Sequence, residues 1–117
     1  MTVTEILCKM IDYSNGNRHD VNHLMKVHAF AAIIAERERL SERDRLVTEV
    51  AAIVHDIVCP FCREKYGRAD GKLQEIEGQP IARAFLADTG FDADVIERVV
   101  YLVGRHHTLT DIDGIDY

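Results

Sequence analysis

The chain has 117 residues, of which 47% are apolar, and it carries a net charge of -6 with a pI of about 5.4. That apolar share can bury a core without disulfides or a structural metal, and the acidic balance excludes binding to nucleic acid through a broad basic surface. Small phosphorylated substrates are not excluded, because a few local cations or a metal ion can hold a phosphate whatever the net charge.

The pattern of apolar residues predicts an all-α fold, since no stretch shows the sustained alternation of a half-buried strand. A first helix is expected over about Val3–Tyr13. Thr2 or Thr4 can start it, and a turn rich in asparagine and glycine can end it.

A second helix is expected over about Asp20–Leu40, with Asp20 as its N-cap. Ser41 suits the N-cap of a third helix, because carboxylates follow it in the first turn, where they favour the helix dipole. This third helix is expected to run to about Val58.

Residues 59–79 contain one proline and three glycines and show little periodicity, so they are predicted to form a long loop. Pro80 fits the first turn of a fourth helix that ends near Gly90, and Asp92 can cap a fifth helix that runs to about His106. We interpret the whole chain as a single helical domain.

The sequence also predicts a compartment. Met1–Met10 carries Glu5 and Lys9 and lacks the apolar stretch of a secretory signal. The longest apolar run, Ala29–Ala35, is too short to span a bilayer. Three cysteines are too few, and odd in number, for a disulfide framework. We therefore predict a cytoplasmic protein with no membrane partner.

Candidate chemistry follows the third helix. Its segment Val50–Val54 is apolar on every side, which is typical of a helix buried in the middle of its domain, and His55 and Asp56 come directly after it. A carboxylate at such a place needs a hydrogen bond, a cation or a metal to offset its desolvation. A second His–Asp pair, His19–Asp20, falls among polar residues, and we interpret His19 as a surface residue.

Further histidines border the apolar faces of two other helices. His23 and His28 lie at the two borders of the stripe on the second helix, and either could reach an interior cleft. His106 lies within the stripe of the fifth helix, and His107 lies near its edge. Together with the His55–Asp56 pair, these residues could form a mixed nitrogen and oxygen site for a transition metal.

In successive helices, these residues resemble the pattern of the HD superfamily of metal-dependent phosphohydrolases, most closely small bacterial HD-domain proteins. The resemblance covers nearly the whole chain. It rests on the segments Arg18–His23, Ala51–Ile57 and Gly104–Thr108. It implies an HD-domain-like helical bundle of about five to six helices.

The resemblance also implies a divalent metal ion, which could be Mn, Fe, Co, Ni, Zn or Mg. Its ligands would be His23, His55 and Asp56, with a further aspartate from a later helix. The implied activity is hydrolysis of a nucleotide or another small phosphate ester by a metal-activated water.

Roles for other residues follow from the same resemblance. Lys65 and His106 would act in catalysis together with Asp56. The phosphate of the substrate would be bound by Arg18, Lys65, His106 and His107.

In that family the chain continues past a segment like Asp113–Tyr117 into a helix that supplies the last aspartate ligand, whereas this sequence stops at Tyr117. Three interpretations stay open: a fragment, a shortened member that binds ligands without hydrolysis, or replacement of the ligand by Asp111, Asp113 or Asp116. A missing helix would also expose apolar surface, so we predict a homo-oligomer.

A different interpretation starts from Cys59-Pro60-Phe61-Cys62, since a Cys-x-x-Cys motif can be a redox or zinc motif. Redox activity of the thioredoxin type needs a βαβ context, which the sequence lacks. A zinc site needs a second pair of ligands, for which only Cys8 or a histidine is present. We therefore expect two free thiols packed against the protein.

Overall fold

The computed structural model describes residues 1–67 and 71–104, with the side chains of residues 71–75 excepted. This part of the chain forms helices and turns and contains no strand. The helices are α1 (Val3–Tyr13), α2 (Arg18–Arg37), α3 (Glu42–Val54), α4 (Cys59–Tyr66), α5 (Gly71–Leu86) and α6 (Ala93–Val103). The predicted all-α bundle of five to six helices is confirmed.

Two helices begin where their capping residues predict. Thr2 accepts a hydrogen bond from the backbone N–H of Glu5, and the Glu5 carboxylate accepts one from the backbone N–H of Thr2, at 3.2 and 3.0 Å. This reciprocal pair satisfies N–H groups that the first turn of α1 leaves without partners. Ser41 caps α3 by accepting from the N–H of Asp44 at 3.1 Å.

The predicted start of α2 was wrong. Asn17, not Asp20, is the N-cap, and its side chain accepts a hydrogen bond from the N–H of Asp20 at 3.0 Å. Asparagine caps as well as aspartate does. The earlier start places Asp20 inside the first turn of α2, where its carboxylate is free to meet a residue from another helix.

The predicted end of the third helix and the predicted long loop were also wrong. The helix α3 ends at Val54, residues 55–58 form a turn, and α4 follows directly. Pro60 sits in the first turn of α4, where no N–H is required. Gly67 ends α4 in the left-handed region at φ 74° and donates its N–H to the Arg63 carbonyl.

The helix α5 contains residues 71–79 of the predicted loop. Gly78 is buried, and a Cβ atom there would lie 3.3 Å from Val103 Cγ1 and 3.7 Å from Val58 Cγ1. Glycine therefore allows α5 to approach α6 and the 55–58 turn closely. Pro80 lies inside α5, and not in the first turn of a helix as predicted.

The helix α3 forms the centre of the molecule and packs against α1, α2 and α6. As predicted, its apolar segment is buried, with Val50, Ile53 and Val54 at most 1% exposed. The N-terminal helix is tied to the far side of the bundle, because the Lys9 ammonium donates to the Phe85 carbonyl at 2.7 Å.

The solvent-exposed side of α2 carries apolar side chains in addition to polar ones. The predicted stripe is buried at Leu24, but Ile34 is 58% exposed. Three more large apolar side chains of α2 are exposed. We call the four together the α2 outer face: Met25, Phe30, Ile33 and Ile34. Within the described part of the chain, no helix is both long and apolar enough to cross a membrane.

Candidate metal centre

Three nitrogen and oxygen atoms meet where the middle of the bundle opens to solvent. His23 Nε2 lies 3.1 Å from Asp56 Oδ2 and 3.2 Å from His55 Nε2, and His55 Nε2 lies 3.1 Å from the same Asp56 oxygen. The three atoms thus form a nearly equilateral triangle. Two of these residues come from the turn after α3 and the third from α2, across 32 positions of sequence.

The triangle has the dimensions of a metal-binding face. Bonds of about 2.0–2.2 Å, as found for transition metals with imidazole and carboxylate ligands, place neighbouring donor atoms about 2.8–3.6 Å apart at octahedral or tetrahedral angles. All three edges fall in that range. Two imidazoles and one carboxylate also suit a divalent transition metal chemically, so His23, His55 and Asp56 could hold such an ion.

A backbone carbonyl fixes which nitrogen of His55 faces the triangle. His55 Nδ1 lies 2.7 Å from the carbonyl oxygen of Ala52, and because a carbonyl only accepts, Nδ1 is the donor. In the neutral ring Nε2 therefore carries the lone pair and points it at the other two donor atoms. Metal-binding histidines typically carry an outer hydrogen bond of this kind.

The surroundings of His55 favour its protonated form. Burial lowers the pKa of His55, but the hydrogen bond from His55 to Asp56, the negative charge of Asp56 and the hydrogen bond with Ala52 outweigh burial, so the net pKa is raised. The carboxylate that attracts this proton would equally attract a divalent cation. Proton and metal therefore compete for the same lone pair.

The site is accessible from one side. The side chain of His23 is 44% exposed, whereas the side chain of His55 is 18% exposed. The turn that carries His55 and Asp56 also contains Ile57 and Val58, which are fully buried. The turn therefore supplies a fixed half of the site, and α2 supplies the half that meets solvent.

A small cavity of about 20 Å³ lies beside the triangle, and the residues that line it include Asp20, His23, Asp56 and Pro60. That volume holds about one water molecule.

Asp20 also makes an ion pair that the sequence did not predict. Arg63 of α4 donates from both terminal nitrogens to the two Asp20 oxygens, at 2.5 and 3.4 Å. The hydrogen bond with Asp20 raises the pKa of Arg63, and the charge of Asp56 adds to the effect. No local signal marks this pair, because its partners are 43 positions apart.

The structure brings only some of the predicted site residues together. His28 points to the other side of α2 and pairs with Glu49 at 3.0 Å. Arg18 is exposed at the first position of α2. The Lys65 ammonium lies 5.3 Å from the centre of the Phe61 ring and 3.9 Å from Glu77.

Other predicted residues lie outside the described part of the chain. These are His106, His107, Asp111, Asp113 and Asp116. Their predicted roles stay predictions. His19 is exposed, as expected, and its ring is stacked on the His23 ring with centroids 6.4 Å apart.

The cysteines near the site are free thiols, as the sequence predicts. Cys59 and Cys62 are both buried, while Cys8 is exposed. Burial raises the pKa of Cys59 to about 12, and the negative charge of Asp56 contributes. A thiol with such a pKa is a poor nucleophile and a poor metal ligand.

Comparison with known proteins identifies the family. The chain matches no curated protein and no solved structure. The family model described as the HD domain matches residues 20–114. That match covers well over half of the chain and includes all three residues of the triangle. The chain therefore belongs to the HD-domain family.

Proposed function

We propose that the protein is a metal-dependent phosphohydrolase that hydrolyses a nucleotide or another small phosphate ester. Membership of the HD-domain family supports a hydrolase in general terms. The observation that carries the proposal is the triangle of His23, His55 and Asp56, with edges of 3.1–3.2 Å. Bound there, a divalent ion would supply a Lewis acid for phosphate oxygens and lower the pKa of a water that attacks phosphorus.

The residues of the chain have separable roles in this proposal. Asp56 supplies negative charge and one donor atom. Ala52 holds the His55 ring so that Nε2 is available without rotation of the side chain, which removes a cost of ordering from binding. His23 closes the triangle from the solvent side. Arg18, Lys65, His106 and His107 stay predicted contacts to the phosphate.

A second candidate is a ligand-binding or regulatory module that keeps the fold but does not hydrolyse its ligand. The triangle supplies three protein ligands, and the sequence pattern of the family implies a further aspartate. Two further predictions, that the protein forms a homo-oligomer and that it does not bind nucleic acid through a broad surface, are compatible with either candidate.

The two candidates differ in turnover. We would measure metal per chain by elemental analysis and then test hydrolysis of a panel of nucleotides and phosphomonoesters with the metal found. The proposal predicts about one ion per chain and turnover of at least one phosphate ester, with both lost in Asp56→Ala. Metal binding without turnover of any panel member would favour the module, and absence of metal after reconstitution would overturn the phosphohydrolase.

A matched control separates loss of the site from general damage. Asp94 is an exposed aspartate whose side chain lies 3.5 Å from Arg43, on the first turn of α6. Asp94→Ala removes the same chemical group at a surface ion pair, which typically contributes less than about 1 kcal/mol to folding. This variant is expected to keep both the metal and the activity.

A further inference from the structure

The ion pair between Asp20 and Arg63 lies beside the candidate metal centre. Asp20 precedes His23 by one turn of α2, and both residues bound the same small cavity as Asp56. Pro60 bounds this cavity from α4, and Arg63 follows Pro60 by three positions on the same side of that helix. One side of α4 therefore faces the site and carries a guanidinium.

The Arg63 guanidinium is held in place by Asp20, but not all of its hydrogen-bond donors are occupied by that contact. An arginine has five N–H donors in a planar fork, and Asp20 takes two of them. The Arg63 side chain remains 41% exposed, while that of Asp20 is only 17% exposed. Asp20 thus holds the guanidinium through two hydrogen bonds, and the exposed Arg63 side chain has N–H donors that Asp20 does not take.

Lys65 is placed differently on the same helix. It lies two positions after Arg63, which is about 200° around a helix, and its ammonium packs over the Phe61 and Tyr66 rings. Of these two cations of α4, Arg63 is therefore on the side of the cavity and the triangle.

The size of the cavity limits where a phosphate can bind. A space of about 20 Å³ holds a water and excludes a phosphate group. A phosphate that touches the triangle must therefore lie at its exposed side. An arginine fork matches the geometry of phosphate oxygens and can donate two parallel hydrogen bonds to them.

We propose that Arg63 is a phosphate-binding residue of this site, positioned at the mouth of the cavity by its ion pair with Asp20. The inference rests on the proposed function and adds a residue to it. The ligand is a phosphate ester with at least two unesterified oxygens, since one oxygen has to face the triangle and another has to face Arg63.

The experiment measures binding of inorganic phosphate, not activity. Protein loaded with manganese is titrated with phosphate by calorimetry for the parent, Arg63→Gln, Arg63→Lys and Arg83→Gln. Arg83 forms a comparable fork with Glu97 on the surface, at 3.1–3.2 Å, and serves as the matched control. Manganese per chain and the melting temperature are recorded for every variant.

The expected result is that Arg63→Gln raises the Kd for phosphate about tenfold or more, the size of effect typical of a lost charge-assisted hydrogen bond. The Kd of Arg63→Lys is expected to lie between those of the parent and Arg63→Gln, because lysine keeps the charge but not the fork. The Kd of Arg83→Gln is expected to match that of the parent. Manganese content should be equal in all four proteins.

Unchanged phosphate affinity in Arg63→Gln, with manganese still bound, would overturn this inference and leave the proposed function standing. A parent protein that takes up no manganese and no phosphate would overturn both. If Arg63→Gln melts below the temperature of the assay, Arg63→Lys decides: weaker phosphate binding supports the inference, and parental affinity overturns it.

Discussion

The Nδ1 atom of His55 donates to the carbonyl oxygen of Ala52, three residues earlier and 2.7 Å away. This contact turns the other ring nitrogen toward Asp56 and His23. Because the carbonyl belongs to the last turn of α3, the orientation of the ring depends on the helix and not on the metal. The hydrogen bond with Ala52 therefore already gives the His55 ring the orientation that an ion would need.

The raised pKa of His55 predicts how stability and metal binding depend on pH. Protonated His55 stabilises the metal-free fold below the ordinary pKa of 6.5, and this contribution is lost as the pH rises through the raised folded-state pKa. Metal requires the unprotonated ring. The increase in Tm caused by metal should therefore be smaller at pH 6 than at pH 8.

Melting curves with and without manganese at the two pH values check this prediction. At a hundredfold excess of free metal over Kd, a bound ion stabilises the fold by about 2.7 kcal/mol, which a melting curve resolves. Asp56→Asn should abolish the metal effect at both pH values. An equal increase in Tm at pH 6 and pH 8 would contradict the prediction.

Removal of His23 should separate metal binding from folding. His23→Ala deletes one corner of the triangle, so metal affinity should fall by more than the roughly 10–100-fold that changes around a ligand cause. Since the side chain is 44% exposed, unfolding free energy should change by no more than about 0.5 kcal/mol. Metal titration and urea denaturation measure the two quantities.

His19→Ala is the control for that variant. His19 stacks on His23 but is not a member of the triangle, and it should keep parental metal affinity. A comparable loss of metal in His19→Ala would mean that the ligand set is larger than three.

Gly67 should be sensitive to substitution although it has room for a side chain. A Cβ atom there would meet nothing within 4 Å, but the φ of +74° disfavours any residue with a Cβ. Gly67→Ala should therefore cost about 1–2 kcal/mol, measured by urea denaturation. Glu64→Ala, exposed on the same helix, should change stability by less than about 0.5 kcal/mol.

The three thiols should react at very different rates. Cys8 is exposed, whereas Cys59 and Cys62 are buried and burial raises the pKa of Cys59 to about 12. At pH 8 a thiol reagent should modify one cysteine quickly and the other two only after unfolding. Rapid reaction of more than one thiol in the native protein would revive a redox or zinc role for the Cys-x-x-Cys motif.

Self-association is expected through the α2 outer face. When two copies of α2 pack antiparallel so that Ala29 of one meets Ile33 of the other, Lys26 and Glu36, both exposed, also meet. One register therefore pairs small with large side chains and opposite charges. Ile33→Glu should shift the protein to monomers in sedimentation at tens of micromolar.

Ile76→Glu is the matched control, because Ile76 is an isoleucine of α5 with 60% exposure, compared with 53% for Ile33. It should leave the association state unchanged. A parent protein that sediments as a clean monomer at the same concentration would contradict the prediction.

Helices with clear caps and a clear apolar period were predicted correctly from the sequence. Val3–Tyr13 matches α1 to the residue, and Ser41 and Asp92 stand at the N-caps of α3 and α6. Caps and apolar periodicity act within a few residues of sequence, so they are readable without tertiary information. The α4 helix and the first half of α5 were missed because residues 59–79 contain one proline and three glycines, which normally interrupt helices.

The candidate site was also predictable only in part. The family pattern directed attention to His23, His55 and Asp56, which the structure brings together. The ion pair of Asp20 and Arg63 could not be predicted. It forms only because α4 comes close to α2 after the turn at residues 55–58, and the sequence did not predict that turn.

The turn at residues 55–58 joins two of the three candidate metal-binding residues to the core of the protein. His55 and Asp56 lie between Val54 and Ile57, two residues that are fully buried. Small changes in core volume are transmitted because interiors are close-packed. The effects of core substitutions and of site substitutions on metal affinity should consequently be non-additive. A double-mutant cycle between Ile57→Val and His23→Ala should show this coupling, although Ile57 is not one of the three residues of the triangle.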